Sequence, residues 1–592
     1  MKELEYPFDS VYLLKKYKSI KKSLLASDKQ WVEKKIAVLG GSTTNHLIKM
    51  MELFLLDEGI RPVFYESSYN RFFEEAVLPN EALKTFQPDV VYIATSVHNI
   101  LNWPDIDMGE KETDELLAQE YERFLMVWKS LEEKYHCVVI QNNMEQPTER
   151  LFGNTDFCDV RGKVNFVARF NDKISQYARV EESFYVFDLN YASADYGLSR
   201  WSDSNAWYLY KCACAMEAVP ELAYRVTRLM KAVFGKNKKV LVLDLDNTIW
   251  GGVIGDEGPD GIELGPETAL GQAFMDVQAY FHHLRQAGIV LAINSKNEYD
   301  NVLLGLSHPN SCLKKEDFAV IKANWNPKDS NMREIIRELN VLPESVVFID
   351  DNPVEREFVK NSFEDIMIPE FDSVIDLIPI MEKTGCFEPV SISEEDRNRT
   401  KMYQENVQRV QLKKEYVDYR DYLCALKMEV EIESFKAEKL PRITQLVNKT
   451  NQYNFTSKRY EYEDIKRISE ESSYLTLYGR LTDKYGDNGI TSVIIGKILG
   501  DDLEIELWVM SCRVFYRDLE YAMLDELVLK CRQKGIRKIF GTYIPSKKNA
   551  MIKEEYGKLG FSQVEIKENG ESVWCLSDLN HYTDQNTVIK IL

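Results

Sequence analysis

Residues 239–250 read KVLVLDLDNTIW. Val240 to Leu243 form an apolar run too short for a helix and of the length of a strand buried on both faces. Asp244 and Asp246 follow it. At the C-terminal end of a parallel strand, side chains i and i+2 project to one side of the crevice in which open α/β sheets take their ligands. Three further apolar runs each lead into a polar group. IVLAINS (289–295) ends on Ser295 in NSKN, DFAVIKA (317–323) precedes NWNPKD with Lys328, and SVVFIDD (345–351) ends on Asp350 and Asp351. Aligned in one sheet, these ends supply a carboxylate nucleophile, a second carboxylate for acid–base work, a hydroxyl and an ammonium for phosphate oxygens, and an acidic pair. Two acidic pairs in one crevice repel each other. Mg2+ suits them, as a hard cation that takes one or two carboxylates plus substrate phosphate. The pattern predicts a phosphoryl-transfer site.

Outward from this stretch, the chain reads as several units. SVYLLKKYKSIKKSLLASDKQ, within residues 1–30, has the pattern of a basic amphipathic helix with a solvated face. From 31 to 235, IAVLG (36–40), PVFYE (62–66), DVVYIAT (89–95), CVVIQNN (137–143) and FYVFDLN (184–190) alternate with helical sequence. That alternation predicts a doubly wound, mostly parallel sheet. The phosphoryl-transfer unit covers 236–390, and a charged helical connector covers 391–427. Residues 428–592 mix strands and helices as an α+β unit, with EVEIESF, SVIIGKI, LEIELWVMS, KIFGTYI and a terminal strand around ESVWCL. The expected fold class is multidomain α/β, without internal repeats.

Composition excludes other classes. The 592 residues are 44% hydrophobic and 29% charged, which is globular and not disordered. Lys and Arg number 74 against 95 Asp and Glu, a net charge of −21, which speaks against nucleic acid as a partner. No apolar run is long enough to span a bilayer, and MKELEYPFDS lacks the apolar core of a secretory signal. Ten cysteines without metal-type spacing read as reduced thiols of a cytoplasmic protein; Cys212 and Cys214 form a C-x-C pair with no second pair nearby.

The four strand-end motifs resemble those of the haloacid dehalogenase (HAD) phosphohydrolases. The resemblance implies that Asp244 is a nucleophile forming an aspartyl-phosphate. It makes Asp246 the general acid/base, with a carbonyl for the metal, and Thr248 a brace of the loop. Ser295 and Lys328 would hold the phosphoryl group, and Asp351, with Asp350 beside it, would complete the metal set with Asp244 and Asp246. Little room for a lid separates Thr248 from Ser295, which implies a capless, Rossmann-like domain. LDLDNTIWGGVIGDEGPDGIELG, NWNPKDSNMREIIRELN, VVFIDDNPVERE, NKTNQYNFTSKRY (448–460), DKYGDNGI (483–490) and MSCRVFYRDLE (510–520) are similar to motifs of the FkbH-like branch of this superfamily. That branch takes the acyl unit of 1,3-bisphosphoglycerate as a thioester, removes phosphate and passes a glyceryl group to an acyl carrier protein. Its members often carry Cys immediately before SKN, where this chain has Asn294.

The flanking units carry resemblances of their own. Gly40-Gly41-Ser42 after a strand resembles the first block of SGNH hydrolases. At the position of that family's D-x-x-H, however, stands Asp203-Ser-Asn-Ala206, and His46, His98 and His136 all come well before it. Without a base the Ser42 hydroxyl is a weak nucleophile. The expectation is a binding scaffold in which Ser42, Asn70 and Asn143 hydrogen-bond a polar ligand or pantetheine. The C-terminal unit resembles a GNAT acyltransferase. In that fold's glycine-rich pyrophosphate loop this chain has Arg513 to Asp518, with Tyr516 and Asp518 in place of the glycines. Cys512, where GNAT strands splay, is the expected acyl-bearing thiol, with Arg513 and Arg517 lowering its pKa; Cys312, beside Lys314 and Lys315, is second. Lys449, Lys458, Arg459, Lys547 and Lys548 are candidates for a basic face that docks an acidic carrier. Three readings stay open: a glyceryl transferase/phosphatase, a plain Mg2+ phosphatase of a small phosphorylated metabolite, and a carrier-protein scaffold.

Overall fold

The computed structural model describes residues 1–27, 31–135, 137–390, 397–450, 452–546, 548–567 and 569–592. They form two compact units, Met1–Phe234 and Gly235–Leu592. The first holds a five-stranded parallel sheet of β1 (Val32–Gly40), β2 (Ile60–Glu66), β3 (Val90–Ala94), β4 (Val138–Asn142) and β5 (Phe184–Phe187), in the order 2-1-3-4-5. The strand order reverses at β1, so a crevice opens beyond the C-terminal ends of β1 and β3. The basic helix is Ser10–Leu25, capped by the Asp9 carboxylate, and buries Leu13, Ile20 and Leu24.

The second unit contains two sheets. β6 (Val240–Leu243), β7 (Val290–Ser295), β8 (Phe318–Ala323) and β9 (Val346–Ile349) form a parallel sheet in the order 8-7-6-9. Each apolar run divides between two cores. Leu241, Leu243, Leu291, Ile293, Val347 and Ile349 enter one, and Val240, Val242, Val290, Ala292, Val346 and Phe348 enter the other. That is why these strands show no polar alternation in the sequence. All four strand ends therefore open on one edge.

The other sheet comprises β10 (Glu429–Glu433), β11 (Tyr453–Asn454), β12 (Tyr474–Asp483), β13 (Gly486–Leu499), β14 (Asp502–Met510), β15 (Lys538–Tyr543), β16 (Ser562–Ile566), β17 (Ser572–Leu576) and β18 (Lys590–Ile591). Its order is 16-17-15-14-13-12-10-18, with β11 paired to β14. β14 and β15 run parallel and pair only over Asp502–Ile505, after which they part. Helices Leu440–Lys449 and Tyr462–Glu470 lie between β10 and β12 in the chain, and Leu519–Gln533 lies between β14 and β15. This is the expected GNAT-like arrangement. The start of the connector, 391–396, lies outside the described residues. Its helix Arg399–Lys413 buries Tyr403 in the parallel-sheet core and reaches the other sheet with Arg409, whose guanidinium donates to both Asp483 carboxylate oxygens at 2.7 and 2.8 Å. The connector is thus packed against both sheets.

Candidate active site

Asp244 continues β6 by donating its N–H to Ile349 O at 2.9 Å. Lys328 opens helix Lys328–Leu339, and its buried ammonium lies 3.0 Å from Asp244 Oδ1 and 2.5 Å from Asp350 Oδ2. Burial pulls the Lys328 pKa down, but Asp244 and Asp350 more than offset this, and it stands above the ordinary lysine range. Asp350 is fully buried and pushed up to about 6, by burial first and by Asp244 next, against the pull of Lys328. Burial and Asp244 also raise Asp351. Carboxylate oxygens of Asp244, Asp350 and Asp351 all lie within 4.8 Å of one another. Three carboxylates crowded around one ammonium suit a small hard cation.

The loop around the carboxylates is fixed from both sides. Thr248 is buried, and its hydroxyl accepts the Asp351 N–H at 3.2 Å. Arg356 Nη1 donates to the carbonyls of Asp350 and Asp351 at 2.8 and 3.0 Å. Asp246 Oδ1 accepts from Trp250 Nε1 at 2.8 Å, and its Oδ2 accepts from Asn297 Nδ2 at 2.8 Å. Ser295 ends β7 on the same edge, almost fully buried. Asn294 donates from Nδ2 to Lys328 O at 2.9 Å and so props the segment that delivers the ammonium. The structure thus assembles Asp244, Asp246, Thr248, Lys328, Asp350 and Asp351, with Ser295 at the adjoining strand end. Sequence reading passes over Trp250 and Asn297, although both lie inside the quoted motifs.

In the first unit, Ser42 follows β1 at the crevice and is 7% exposed. Asn99 Nδ2 donates to Gly41 O at 2.8 Å and to Asn70 Oδ1 at 3.1 Å. A Cβ at Gly41 would stand 2.2 Å from Asn99 Oδ1, so glycine is required there. Asn143 is placed otherwise. It donates to Asp188 Oδ1 at 2.8 Å and accepts from the Asn190 N–H at 2.9 Å, tying the end of β4 to the turn after β5. Asn99, which the sequence reading passes over, ties Asn70 to Gly41. Asp203 caps a helix through the N–H groups of Asn205 and Ala206, and His98 stacks on Trp207 at 3.7 Å. His136 lies outside the described residues.

Residues 35–231 match the family model of the FkbH N-terminal domain. The chain is also similar to a crystal structure of the N-terminal part of the protein BF1531 from Bacteroides fragilis, described as containing a phosphatase domain complexed with Mg. Identity is 27% and the TM-score 0.59, over 63% of this chain and 99% of that one. The first unit is similar to the FkbH N-terminal domain over residues 35–231. Shorter matches are the ribosomal-protein-S18-alanine N-acetyltransferase of Escherichia coli, at 14% identity over 27% of this chain and 98% of that one, with a TM-score of 0.21. Another is the PaiA N-acetyltransferase of Thermoplasma acidophilum, at 17% identity over 25% of this chain and 99% of that one, with a TM-score of 0.19. No curated protein matches the sequence.

The thiol expected to carry the acyl group stands apart from the carboxylates. Asn340, which follows helix Lys328–Leu339, donates from Nδ2 to Cys512 O at 2.9 Å. Twelve helical residues at 1.5 Å each place about 18 Å between that end and Lys328. Cys512 interacts instead with Lys239 and Tyr403, which precede β6 and line the connector. Arg517 is spent on Asp483, Asn488, Asn406 and the Arg513 carbonyl, and Arg513 on Ser511 Oγ and Met402 Sδ. Neither arginine is aimed at the thiol as expected. Burial pushes the Cys312 thiol up.

The gap between β14 and β15 is occupied. Phe455 donates its N–H to Trp508 O at 3.4 Å, and its carbonyl accepts the Ile544 N–H at 2.8 Å, so one residue bridges both sides. Its ring stacks on Tyr556 at 4.2 Å, and Phe455, Trp508 and Tyr556 are all fully buried. Tyr516 and Asp518 hold positive φ, of 61° and 60°, where the glycines of the resembled loop would be. Two of the expected basic residues have partners within the chain. Arg459 bonds the carbonyls of Val447 and Lys458, Lys548 pairs with Glu344 at 2.7 Å, and Lys547 lies outside the described residues.

Proposed function

We propose that this chain is a Mg2+-dependent HAD-type phosphatase of the FkbH kind that transfers the phosphoryl group of a small phosphorylated metabolite to Asp244 and then to water. The observation that carries it is the juxtaposition of Asp244 with Lys328, Asp350 and Asp351 at one sheet edge. Asp244, Asp351 and the Asp246 carbonyl would hold the cation. When bound, the cation neutralises phosphate charge and orients the group for in-line attack. Asp244 Oδ attacks phosphorus as the bond to the leaving oxygen breaks, and Asp246 gives that oxygen a proton where one is needed. Water then attacks the aspartyl-phosphate, Asp246 takes its proton, and Asp244 is regenerated. Lys328 and Ser295 bind the equatorial phosphate oxygens through both steps.

The FkbH likeness supports a finer reading. The metabolite is then 1,3-bisphosphoglycerate, and the glyceryl group passes to the pantetheine thiol of an acyl carrier protein in the cytoplasm. An acyl phosphate is already activated, so a thiolate can take the acyl group without ATP. Cys512 serves that step only if the acyl group travels to it. A second reading, a phosphatase with an inert C-terminal unit, is favoured by the ring-filled gap between β14 and β15. Intact-mass spectrometry after mixing with 1,3-bisphosphoglycerate decides: a glyceryl adduct supports transfer, a phosphoryl adduct alone supports the second reading, and no adduct with no phosphate released sinks both.

A further inference from the structure

Asp246 is held by more donors than a freely swinging acid–base group needs. Its Oδ1 accepts the Trp250 indole N–H at 2.8 Å and the Ile254 backbone N–H at 3.2 Å, which fills both acceptor positions of that oxygen. Its Oδ2 accepts one bond, from Asn297 Nδ2 at 2.8 Å. All three partners are N–H groups and can only donate, so the carboxyl plane is set by two side chains and one backbone group. The side chains are themselves immobilised. Trp250 is fully buried, and a Cβ at Gly305 on helix Tyr299–Leu306 would stand 2.7 Å from its ring, so that helix has glycine where the indole seats. Asn297 is 3% exposed, two residues beyond Ser295.

We infer that Trp250 and Asn297 are positioning residues that orient Asp246 and leave Oδ2 as the one oxygen with a free acceptor position, so that the reaction proton is carried on Oδ2. In the second step the water O–P bond forms, the P–O bond to Asp244 breaks, and the water proton goes to Asp246 Oδ2. This rests on the proposed aspartyl-phosphate chemistry. Positioning matters most in that step, because the attacking water must be held and deprotonated, whereas a good leaving group departs in the first step without a proton.

The test compares wild type with Trp250→Phe, Asn297→Ala, Asp246→Asn and Asp244→Asn, in Mg2+, using p-nitrophenyl phosphate. Trp250→Phe removes the N–H together with part of the buried indole, so it also costs packing; should it fail to fold, the exchange of the small polar Asn297 carries the test. The expected result for both positioning variants is a kcat about tenfold to a hundredfold lower at nearly constant KM. Phosphoenzyme formation stays within about twofold of wild type, so acid quench with labelled phosphate shows the phosphoenzyme accumulating. An unchanged kcat overturns the inference. So does a fall in activity with a lowered melting temperature and no accumulated phosphoenzyme, because that is a packing effect alone. Full activity in Asp244→Asn would instead remove the underlying reading.

Discussion

At the ends of β6 to β9 the side chains that meet are short and charged. Lys328 lies within 3.0 Å of both Asp244 and Asp350, and burial with the Asp244 charge raises the Asp350 pKa despite that ammonium. Where β14 and β15 part, the side chains that meet are the rings of Phe455, Trp508 and Tyr556, stacked and fully buried. Both are strand-end openings in one unit, and each would serve a thioester or phosphate chemistry if it were open. The first is kept open by buried like charge, which destabilises the fold. The second is closed by aromatic burial, which stabilises it. An opening built for chemistry carries a stability cost that a filled one does not, and that difference is measurable on each side.

The largest expected effect is on the open side. Asp244→Asn keeps the shape but removes the nucleophile, and phosphate release should fall to background. Chelation of Mg2+ should do the same reversibly. Undiminished turnover in either condition would break the comparison, since the carboxylate cluster would then be ornament. Lys328→Met comes next. It leaves Asp244 and Asp350 buried without their ammonium, which should cost about 3–5 kcal/mol in urea unfolding along with most of the activity. Added Mg2+ should recover more stability in this variant than in wild type; no difference would mean that the cation does not share the carboxylates.

The parallel sheet could be read from the sequence because its runs are apolar on both faces and each ends in a polar group, so periodicity and chemistry agreed. The same reading misses β11. Tyr453 and Asn454 have no period of their own, and only their pairing with Met510 and Val509 makes them a strand. It also names Asn143 and passes over Asn99. Both follow strands of the first sheet, but β3 neighbours β1 while β4 does not, and strand order is set by tertiary packing. Trp250 and Asn297 escape for another reason: their donors act on a side chain four residues back and on another loop, a relation that spacing alone does not encode. Arg513 and Arg517 read as cations free to activate Cys512, yet Asp483 and the connector claim Arg517, a partner far off in sequence.

On the filled side, Phe455→Ala keeps the backbone bridge but removes the ring packed in the gap, and should cost about 3–5 kcal/mol as an unfilled cavity. Calorimetry of wild type should show no acetyl-CoA binding, because the rings occupy the gap and Asp518 opens the following helix with a negative charge. Micromolar affinity in wild type would show that residues 453–456 are displaced by ligand, and the two openings would then be alike. Affinity only in Phe455→Ala would sharpen the contrast, with one ring closing an otherwise competent site.

The smallest effect tests whether the filled side also hides an uncompensated charge. Glu520 is the second residue of helix Leu519–Gln533, 8% exposed, and its Oε2 has no hydrogen-bond partner among the described residues. Burial first, then Glu555 and Asp518, push its pKa from 4.5 up to about 7, against Lys558. A carboxyl whose pKa is raised on folding contributes its full stability below the unfolded value and loses it as pH rises towards the folded one. Between pH 4.5 and about 7 the unfolded chain gives up the proton while the folded chain keeps it. Stability should therefore fall by about 1.4 kcal/mol per pH unit, to a total of about 3 kcal/mol, and then level off. Glu520→Gln keeps the size and has no proton to lose. The variant should match wild type near pH 4.5 and exceed it by about 3 kcal/mol at pH 8 in urea unfolding. Equal pH slopes in the two proteins would mean that Glu520 is ionised and paired in the folded state, and the C-terminal gap would then hold a charge pair like that of Lys328 with Asp350.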